Sequence, residues 1–199
     1  MRRRDQIPGP TVTVGALVAI SSALAEHLHD FGDDTAALGA EVPMAKAGPR
    51  RAHNHFGNVG IGLYPELAGA ERAECIAADF AERRKRAAHP AMTAAGRAFA
   101  ATPAPLLRWG VAQFDPTVRA PMVTGNTVVS SVNRGAADLR FGRAQVVVTA
   151  GYPSLSLMMG LTHGVHGIGE AVAVSVHAAE SAVGDIDTYL ARLEAALGA

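Results

Sequence analysis

Histidine is the side chain of this sequence best suited to acid–base or metal chemistry, and its eight copies are widely scattered. His163 and His166 lie three residues apart in a predicted strand, so their side chains point to opposite faces of that strand. His53 and His55 could share a strand face, but no third ligand lies near them in the sequence. Because a metal site needs several converging ligands, we predict no metal centre.

Residues 27–32, with the sequence H-L-H-D-F-G, are a second candidate for acid–base chemistry. They contain the residue types of the H-H-x-x-x-D-G signature of acyl-CoA-dependent acyltransferases, in which a histidine deprotonates the acceptor alcohol. The spacing differs from the signature, and we interpret the segment as the polar end of a helix. No G-x-S-x-G motif occurs, and Cys75 is interpreted as a small packing residue of a helix. The sequence therefore contains no complete catalytic constellation.

Two glycine-rich segments, residues 57–62 and 164–169, could in principle approach phosphate groups. Both have the order G-x-x-G-x-G, which is not the order of the dinucleotide-binding motif. Glu170 and Ala171 follow the second segment, where a P-loop requires lysine and a hydroxyl residue. We interpret these glycines as parts of strands.

Composition limits the functions that this chain of 199 residues can have. Its length and hydrophobic fraction of 49% predict one packed domain. Eighteen basic residues balance eighteen acidic residues, so no overall field attracts a polyanion, and we expect no nucleic acid partner. The single cysteine excludes an internal disulfide and fits a reducing compartment, which predicts a cytoplasmic protein.

The N-terminal region allows two interpretations. Three arginines at residues 2–4, an apolar stretch at residues 11–24 and an A-x-A-like site at Ala25 are similar to an export signal. The helical pattern of apolar residues, however, continues past that site. We therefore expect a polar leader at residues 1–10 and a single domain at residues 11–199, and a mature N-terminus at Met1 would exclude export.

Periodicity and turn residues predict helices at both ends of the domain and in its middle. The predicted helices cover residues 11–29 and 70–86, two short stretches within residues 89–113 with Trp109 as their large packing residue, and a last helix capped by Asp185 with Ile186, Leu190, Leu193 and Leu197 on its inner face. The predicted strands cover residues 36–43, 55–64, 127–132, 144–148, 160–166 and 171–177, and residues 115–125 are expected to be irregular. This order predicts an α/β fold, a mixed sheet flanked by helices.

A series of short motifs between residues 11 and 185 resembles, in the same order, the C-terminal half of the bacterial wax ester synthase/acyl-CoA:diacylglycerol acyltransferase family. The family has T-V-N-D-V-L-L-A, a proline-containing strand, L-G-N and a strand ending in L-P. The corresponding residues here are 11–18 (T-V-T-V-G-A-L-V), 41–43 (E-V-P), 56–58 (F-G-N) and 63–65 (L-Y-P).

The closing region resembles the same family. Residues 126–135, N-T-V-V-S-S-V-N-R-G, correspond to its N-x-x-V-S-N-V-P-G-P. Residues 161–177 correspond to two strands joined by S-Y-x-G, and residues 183–185 to V-P-D. The departures are the Asn-Asp pair, replaced by Thr13-Val14, the P-G-P turn, replaced by residues 133–135, and the serine and tyrosine of S-Y-x-G, which are missing.

The resemblance implies a chloramphenicol acetyltransferase-like fold, of which this chain forms the C-terminal half. It also implies transfer of an acyl group from acyl-CoA, a co-substrate and not a bound cofactor, to a diacylglycerol or long-chain alcohol. The family's catalytic H-H-x-x-x-D-G motif lies in the N-terminal half, so the expected partner is a separately encoded N-terminal half, or else a further copy of the chain. The expected location is the cytoplasm, with peripheral contact to membranes or lipid droplets.

Within this interpretation four polar residues are expected to line the substrate tunnel, namely Asn58, Ser130, Ser131 and Asn133, and no catalytic residue is expected in the chain. The altered Thr13-Val14 and the lost P-G-P turn leave a second interpretation open. In it the chain is an inactive relative that binds a lipid or a protein partner.

Overall fold

The chain is described from a computed structural model. The described residues are 1–46, 48–49, 55–115, 118 and 123–198.

Helices and strands alternate along the described chain. The helices are α1 (Val12–Asp30), α2 (Gly69–Ala87), α3 (Pro90–Ala100), α4 (Ala104–Ala112), α5 (Glu180–Val183) and α6 (Ile186–Ala196). The strands are β1 (Arg2–Arg3), β2 (Gly39–Ala45), β3 (Phe56–Gly62), β4 (Thr127–Asn133), β5 (Arg140–Phe141), β6 (Ala144–Gln145), β7 (Leu161–Ile168) and β8 (Ala171–Ala178).

Six of these strands form one mixed sheet in the order β1-β8-β7-β4-β2-β3. β4 runs parallel to both of its neighbours, β7 and β2, and the other strand pairs are antiparallel. This arrangement confirms the predicted α/β fold with a mixed sheet. β5 and β6 form a separate small hairpin, so the strand predicted at residues 144–148 is reduced to its first two residues.

The hydrophobic core lies between one face of the sheet and the layer formed by α6, α1 and α2. Leu17, Ile20 and Leu24 of α1 are buried in it at the predicted helical spacing. On α6, Tyr189 is buried and Leu190 is 41% exposed, which corrects the predicted inner face of this helix. A tyrosine can be buried here because its hydroxyl bonds to His163 Nε2 at 2.7 Å. The predicted cap is confirmed, since Asp185 Oδ1 accepts from the Thr188 amide at 3.0 Å.

Helix α1 is long and apolar enough to cross a membrane if only length and composition are considered. More than half of its residues are buried against the sheet and the neighbouring helices, as in the core helix of a soluble domain. Its buried Ser21 donates a hydrogen bond to the carbonyl oxygen of Leu63 at 2.7 Å. A hydroxyl buried in this way needs such a partner.

The predicted polar leader does not lie apart from the domain. Arg2 and Arg3 pair with Val172 and Ala171 of β8, so the leader adds a strand to the edge of the sheet. Ile7 is buried in the core. This packing could not be predicted from the sequence, because a two-residue strand is too short to show a periodic pattern.

The two short helices predicted within residues 89–113 are present as α3 and α4, but the role predicted for Trp109 is wrong. Its side chain is 63% exposed, and neither helix buries any residue fully. Among the described residues these helices therefore leave most of their large apolar side chains exposed, Leu107 of α4 being half-buried.

Candidate functional site

A cavity of about 470 Å³ opens where the beginning of α1 meets the end of β4. The first residues of α1 form one wall, the end of β4 forms the opposite wall, and the leader closes one side. The side chains that carry polar groups into its lining are those of Arg4, Thr11, Thr13, Ser131 and Asn133. Two of the four predicted tunnel residues, Ser131 and Asn133, therefore belong to one cavity.

A hydroxyl pair links the two walls. Thr13 Oγ1 and Ser131 Oγ lie 2.7 Å apart, although 118 positions separate the residues in the sequence. Two motifs of the family resemblance, residues 11–18 and 126–135, are thereby brought into direct contact. Only one of the two hydroxyl protons lies between the oxygens, so the other proton can point toward a molecule in the cavity.

The beginning of α1 adds backbone donors to the same wall. Thr11 caps the helix, because its Oγ1 accepts from the Val14 amide at 3.2 Å. The amides of Val12 and Thr13 belong to the first turn and have no acceptor within the helix. A helix of 19 residues also presents the positive end of its dipole here, and no acidic residue lies in its first turn.

Arg4 supplies the positive charge of the cavity. Its guanidinium donates to the carbonyl oxygen of Gly169 at 3.2 Å and to Asn133 Oδ1 at 3.5 Å. The backbone amide of Arg4 is fixed by the carbonyl oxygen of Glu170 at 2.8 Å. No carboxylate is among the residues that line the cavity. Its donors and single cation are therefore suited to an anionic or strongly hydrogen-bond-accepting group.

Val14 is buried in the core beside this cavity. In the sequence resemblance, Val14 stands at the position of the aspartate of the family's Asn-Asp pair, and the preceding Thr13 stands at that of the asparagine. The chain thus keeps a polar side chain at the cavity wall and has an apolar residue at the position of the carboxylate. The departure seen in the sequence removes a negative charge from this end of α1.

The other two predicted tunnel residues lie away from the cavity. Ser130 is the neighbour of Ser131 on β4, so its side chain points to the opposite face of the sheet. Asn58 lies on the edge strand β3, where its amide donates to Glu41 Oε1. The sequence could not separate Ser130 from Ser131, because both fit the same motif and only the register of β4 decides which one faces the helices.

A buried polar network lies in the core between β4, β7 and α6. His163 is fully buried, with Nδ1 2.8 Å from Thr127 Oγ1 and Nε2 2.7 Å from the Tyr189 hydroxyl. Thr127 Oγ1 also donates to the carbonyl oxygen of Leu161 at 2.9 Å, so it accepts from His163 Nδ1. Tyr189 then donates to Nε2. Burial lowers the pKa of His163 to about 3, so the ring is neutral and its two nitrogens are both satisfied.

His166 points to the opposite face of β7, as the spacing of the two histidines predicts. Its side chain is largely buried beneath the segment around Gly151, and its Nδ1 has no partner among the described residues. Burial, together with the charge of Arg134, lowers the pKa of His166. Hydrogen bonds from Ser175 to the Gly151 carbonyl and from Thr162 to the Pro153 carbonyl hold the same segment, which we call the strap (residues 146–160), against β7 and β8.

The other candidate residues have structural positions. His27 and His29 lie in the last turn of α1, and His27 Nε2 is 2.7 Å from the carbonyl oxygen of Val183, which confirms the interpretation as a helix end. The glycines of residues 57–62 lie in β3, and those of residues 164–169 lie in β7 and the turn after it. In the described part of the chain, no three His, Cys, Asp or Glu residues are placed to hold a metal ion. His53 lies outside the described residues.

Three polar residues of the cavity, Arg4, Thr11 and Thr13, were not predicted as site residues from the sequence. Arg4 was assigned to the leader, and Thr13 was noted only as a departure from the family motif. The available signal was that Thr13 is the second residue of a helix that follows Pro-Gly-Pro, where a polar side chain lies beside free backbone amides.

Comparison with known proteins identifies the fold. No family model matches the chain, and no curated protein matches it by sequence. A wax ester synthase/diacylglycerol acyltransferase from Marinobacter aquaeolei VT8 matches 97% of this chain with a TM-score of 0.59 and 19% identity. The chain spans 43% of that protein.

Two condensation-domain structures match less closely. One, from the enacyloxin polyketide synthase, covers 94% of this chain and 35% of that chain, with a TM-score of 0.48 and 10% identity. The other, a starter condensation domain of the rhizomide synthetase, covers 96% of this chain and 43% of that chain, with a TM-score of 0.49 and 14% identity. The match to the wax ester synthase/diacylglycerol acyltransferase structure shows that this chain has the fold of part of that protein, consistent with the resemblance to the C-terminal half of that family.

Proposed function

We propose that this chain is the C-terminal half of an acyl-CoA-dependent O-acyltransferase that makes triacylglycerol or wax esters. The observation that carries the proposal is the contact between Thr13 and Ser131 in a cavity rich in hydrogen-bond donors. These residues belong to two of the motifs that resemble the family, at residues 11–18 and 126–135. Their convergence on a fold similar to that of a wax ester synthase supports a shared site.

In the proposed reaction the hydroxyl oxygen of a diacylglycerol or long-chain alcohol attacks the thioester carbonyl carbon of acyl-CoA. A histidine removes the hydroxyl proton as the new C–O bond forms. The C–S bond then breaks, and the thiolate of coenzyme A takes up a proton. This sequence has no H-H-x-x-x-D-G motif, so that histidine is proposed to come from an N-terminal half on another chain.

The proposed contribution of this chain is to bind and orient acyl-CoA. Arg4, the free amides at the beginning of α1 and the hydroxyl pair are all donors, and acyl-CoA is rich in phosphate oxygens. The donors would hold an anionic part of acyl-CoA at the cavity while the other half performs the proton transfer. No residue of this chain is assigned a catalytic role.

Replacing each of the two neighbouring serines of β4 by alanine in turn tests whether this chain binds and orients acyl-CoA. The N-terminal half used in the assay is a candidate protein with the H-H-x-x-x-D-G motif, co-expressed and co-purified with this chain. Ser131→Ala should lower kcat/KM for acyl-CoA about tenfold, because one hydrogen bond to the ligand is lost. Ser130→Ala is the matched control and should change kcat/KM less than twofold. Equal effects of the two substitutions would contradict the assignment of the cavity.

A specific observation favours a second candidate function, an inactive module that binds acyl-CoA or a related lipid. Val14 places a buried apolar residue where the family has an aspartate. The same preparation separates the two functions. Ester formation that disappears when the partner's catalytic histidine is replaced supports the enzyme, whereas acyl-CoA binding without ester formation supports the module. Failure to form any complex would exclude the split acyltransferase.

A further inference from the structure

Charge is distributed very unevenly along this formally neutral chain. Residues 83–114 contain six of the eighteen basic residues and none of the eighteen acidic residues. The segment therefore carries a formal charge of +6 and the rest of the chain a charge of −6. The net charge of the whole chain is zero, which argued against a polyanionic partner. One region of the chain is nevertheless strongly basic.

The cations of this region have no acidic partner among the described residues. They are Arg83, Arg84, Lys85 and Arg86 at the end of α2, Arg97 on α3 and Arg108 on α4. The ion pairs of the described residues join other positions, namely Arg2 with Glu194, Arg3 with Asp5 and Arg192 with Asp30. None of these pairs involves the six cations; Arg83 donates instead to the carbonyl oxygen of Gly60 at 3.0 Å, and the other five side chains are exposed.

The same region exposes large apolar side chains. Those exposed on α3, on α4 and just after α4 are Met92, Phe99, Leu106, Trp109, Val111 and Phe114. Aromatic and aliphatic side chains next to unpaired cations, with no acidic residue between them, are typical of helices that lie at a lipid–water interface. Tryptophan in particular favours this boundary, because its ring is apolar and its N–H is polar.

We propose that α3, α4 and the basic end of α2 dock this chain on an anionic lipid surface. The cations would face lipid phosphates, and the apolar side chains would enter the boundary between headgroups and acyl chains. The core of a protein interface is depleted in charged residues, so clustered cations beside these apolar side chains complement lipid phosphates better than a protein surface. This inference does not depend on the proposed acyl transfer.

Trp109 makes the proposal directly testable, because it is the only tryptophan of the chain. The purified chain is mixed with vesicles of phosphatidylcholine alone or of phosphatidylcholine with phosphatidylglycerol. The expected result is a blue shift of the Trp109 emission and co-sedimentation with the anionic vesicles, both decreasing as salt is added. Absence of both signals, or equal binding to the neutral vesicles, would overturn the proposal.

Two double variants that each remove two positive charges, at different places in the fold, test whether the lipid-docking surface lies at the basic end of α2. The double variant Lys85→Gln and Arg86→Gln should bind the anionic vesicles about 30-fold more weakly. The control, Arg140→Gln with Arg143→Gln, makes the same change of charge on the β5–β6 hairpin and should change binding less than about threefold. A control that weakens binding as much as the test variant would show that only the total charge matters, which contradicts a defined docking surface.

Acrylamide quenching of Trp109 tests whether a second copy of this chain, and not a lipid surface, covers α3 and α4. In the lipid-free chain acrylamide should quench Trp109 strongly, because the indole is exposed. Weak quenching together with a dimer in analytical ultracentrifugation would mean that a second copy covers these helices, and would overturn the lipid-docking proposal.

Discussion

At the scale of single residues, His163 shows how burial determines chemistry in this protein. The ring lies in the core with both nitrogens paired, and its low pKa keeps it uncharged. A histidine in this state acts as a neutral hydrogen-bonding link between β4, β7 and α6. It is therefore a structural residue, although histidine is the residue type most often considered for catalysis.

The buried state of His163 predicts a loss of stability in acid. Between the ordinary histidine pKa of 6.5 and the folded value of about 3, the unfolded chain binds a proton at this position and the folded chain does not. The free energy of unfolding should therefore decrease as the pH falls through this window, by about 1.4 kcal/mol per pH unit from this group. Urea unfolding followed at several pH values measures the slope.

One observation checks that His163 causes this effect. In the wild-type chain, NMR should show its ring unprotonated at pH 5. A titration of His163 near pH 6.5 in the folded chain would contradict its burial and its pairing.

At the scale of elements, the strap lies against β7 because one residue of that strand has no side chain. A Cβ at Gly164 would overlap the carbonyl oxygen of Gly151 and lie 2.6 Å from Ser175 Oγ. The Gly151 carbonyl also accepts the hydroxyl of Ser175 at 2.6 Å. This glycine thus allows a backbone contact, which explains its place in a strand.

Gly164→Ala should displace the strap and destabilise the fold by about 1–3 kcal/mol, because the added methyl group has no space. Hydrogen–deuterium exchange should show faster exchange in residues 146–160. Gly57→Ala on β3 is the matched control, since its Cβ would meet only Lys46 Cε at 3.9 Å. If both variants were equally stable, the close contact of strap and strand would be wrong.

At the scale of the whole molecule, the chain matches 43% of the length of a solved acyltransferase and exposes apolar side chains that a partner could cover. On the β5–β6 hairpin, just before it and in the strap, these include Leu139, Phe141, Val147, Tyr152 and Leu157. Phe141 is the most exposed of them, at 86%. An aromatic side chain that projects in this way is suited to anchor a protein–protein interface.

If the proposed split acyltransferase is correct, Phe141→Ser should weaken association with the proposed N-terminal half about 30-fold, the effect of losing a central aromatic anchor. Isothermal titration of the two purified halves provides the measurement. Phe56→Ser, on the outer strand β3, removes an exposed aromatic residue at the other edge of the sheet and should have little effect. Equal affinities of wild type and Phe141→Ser would exclude the hairpin from the interface.

The sequence by itself determined the types and the order of the longer elements, whereas the short β1, β5 and α5 were not predicted. Long-period patterns such as those of α1 and α6, and the β-branched residues of β4, β7 and β8, reflect local preferences and burial on one face, which a single segment records. The Asp185 cap and the helix end at His27 and His29 were predictable for the same reason. The ordered motifs also indicated the fold correctly.

Only the tertiary structure decided which residues share a site. The register of β4 places Ser131 against Thr13 and turns Ser130 away, and pairing with β8 brings Arg4 to the cavity. Trp109 was predicted to be buried because it is large and apolar, and it is exposed because no described element packs over α4. These outcomes depend on contacts between segments far apart in the chain, and such contacts leave no periodic signal in either segment alone.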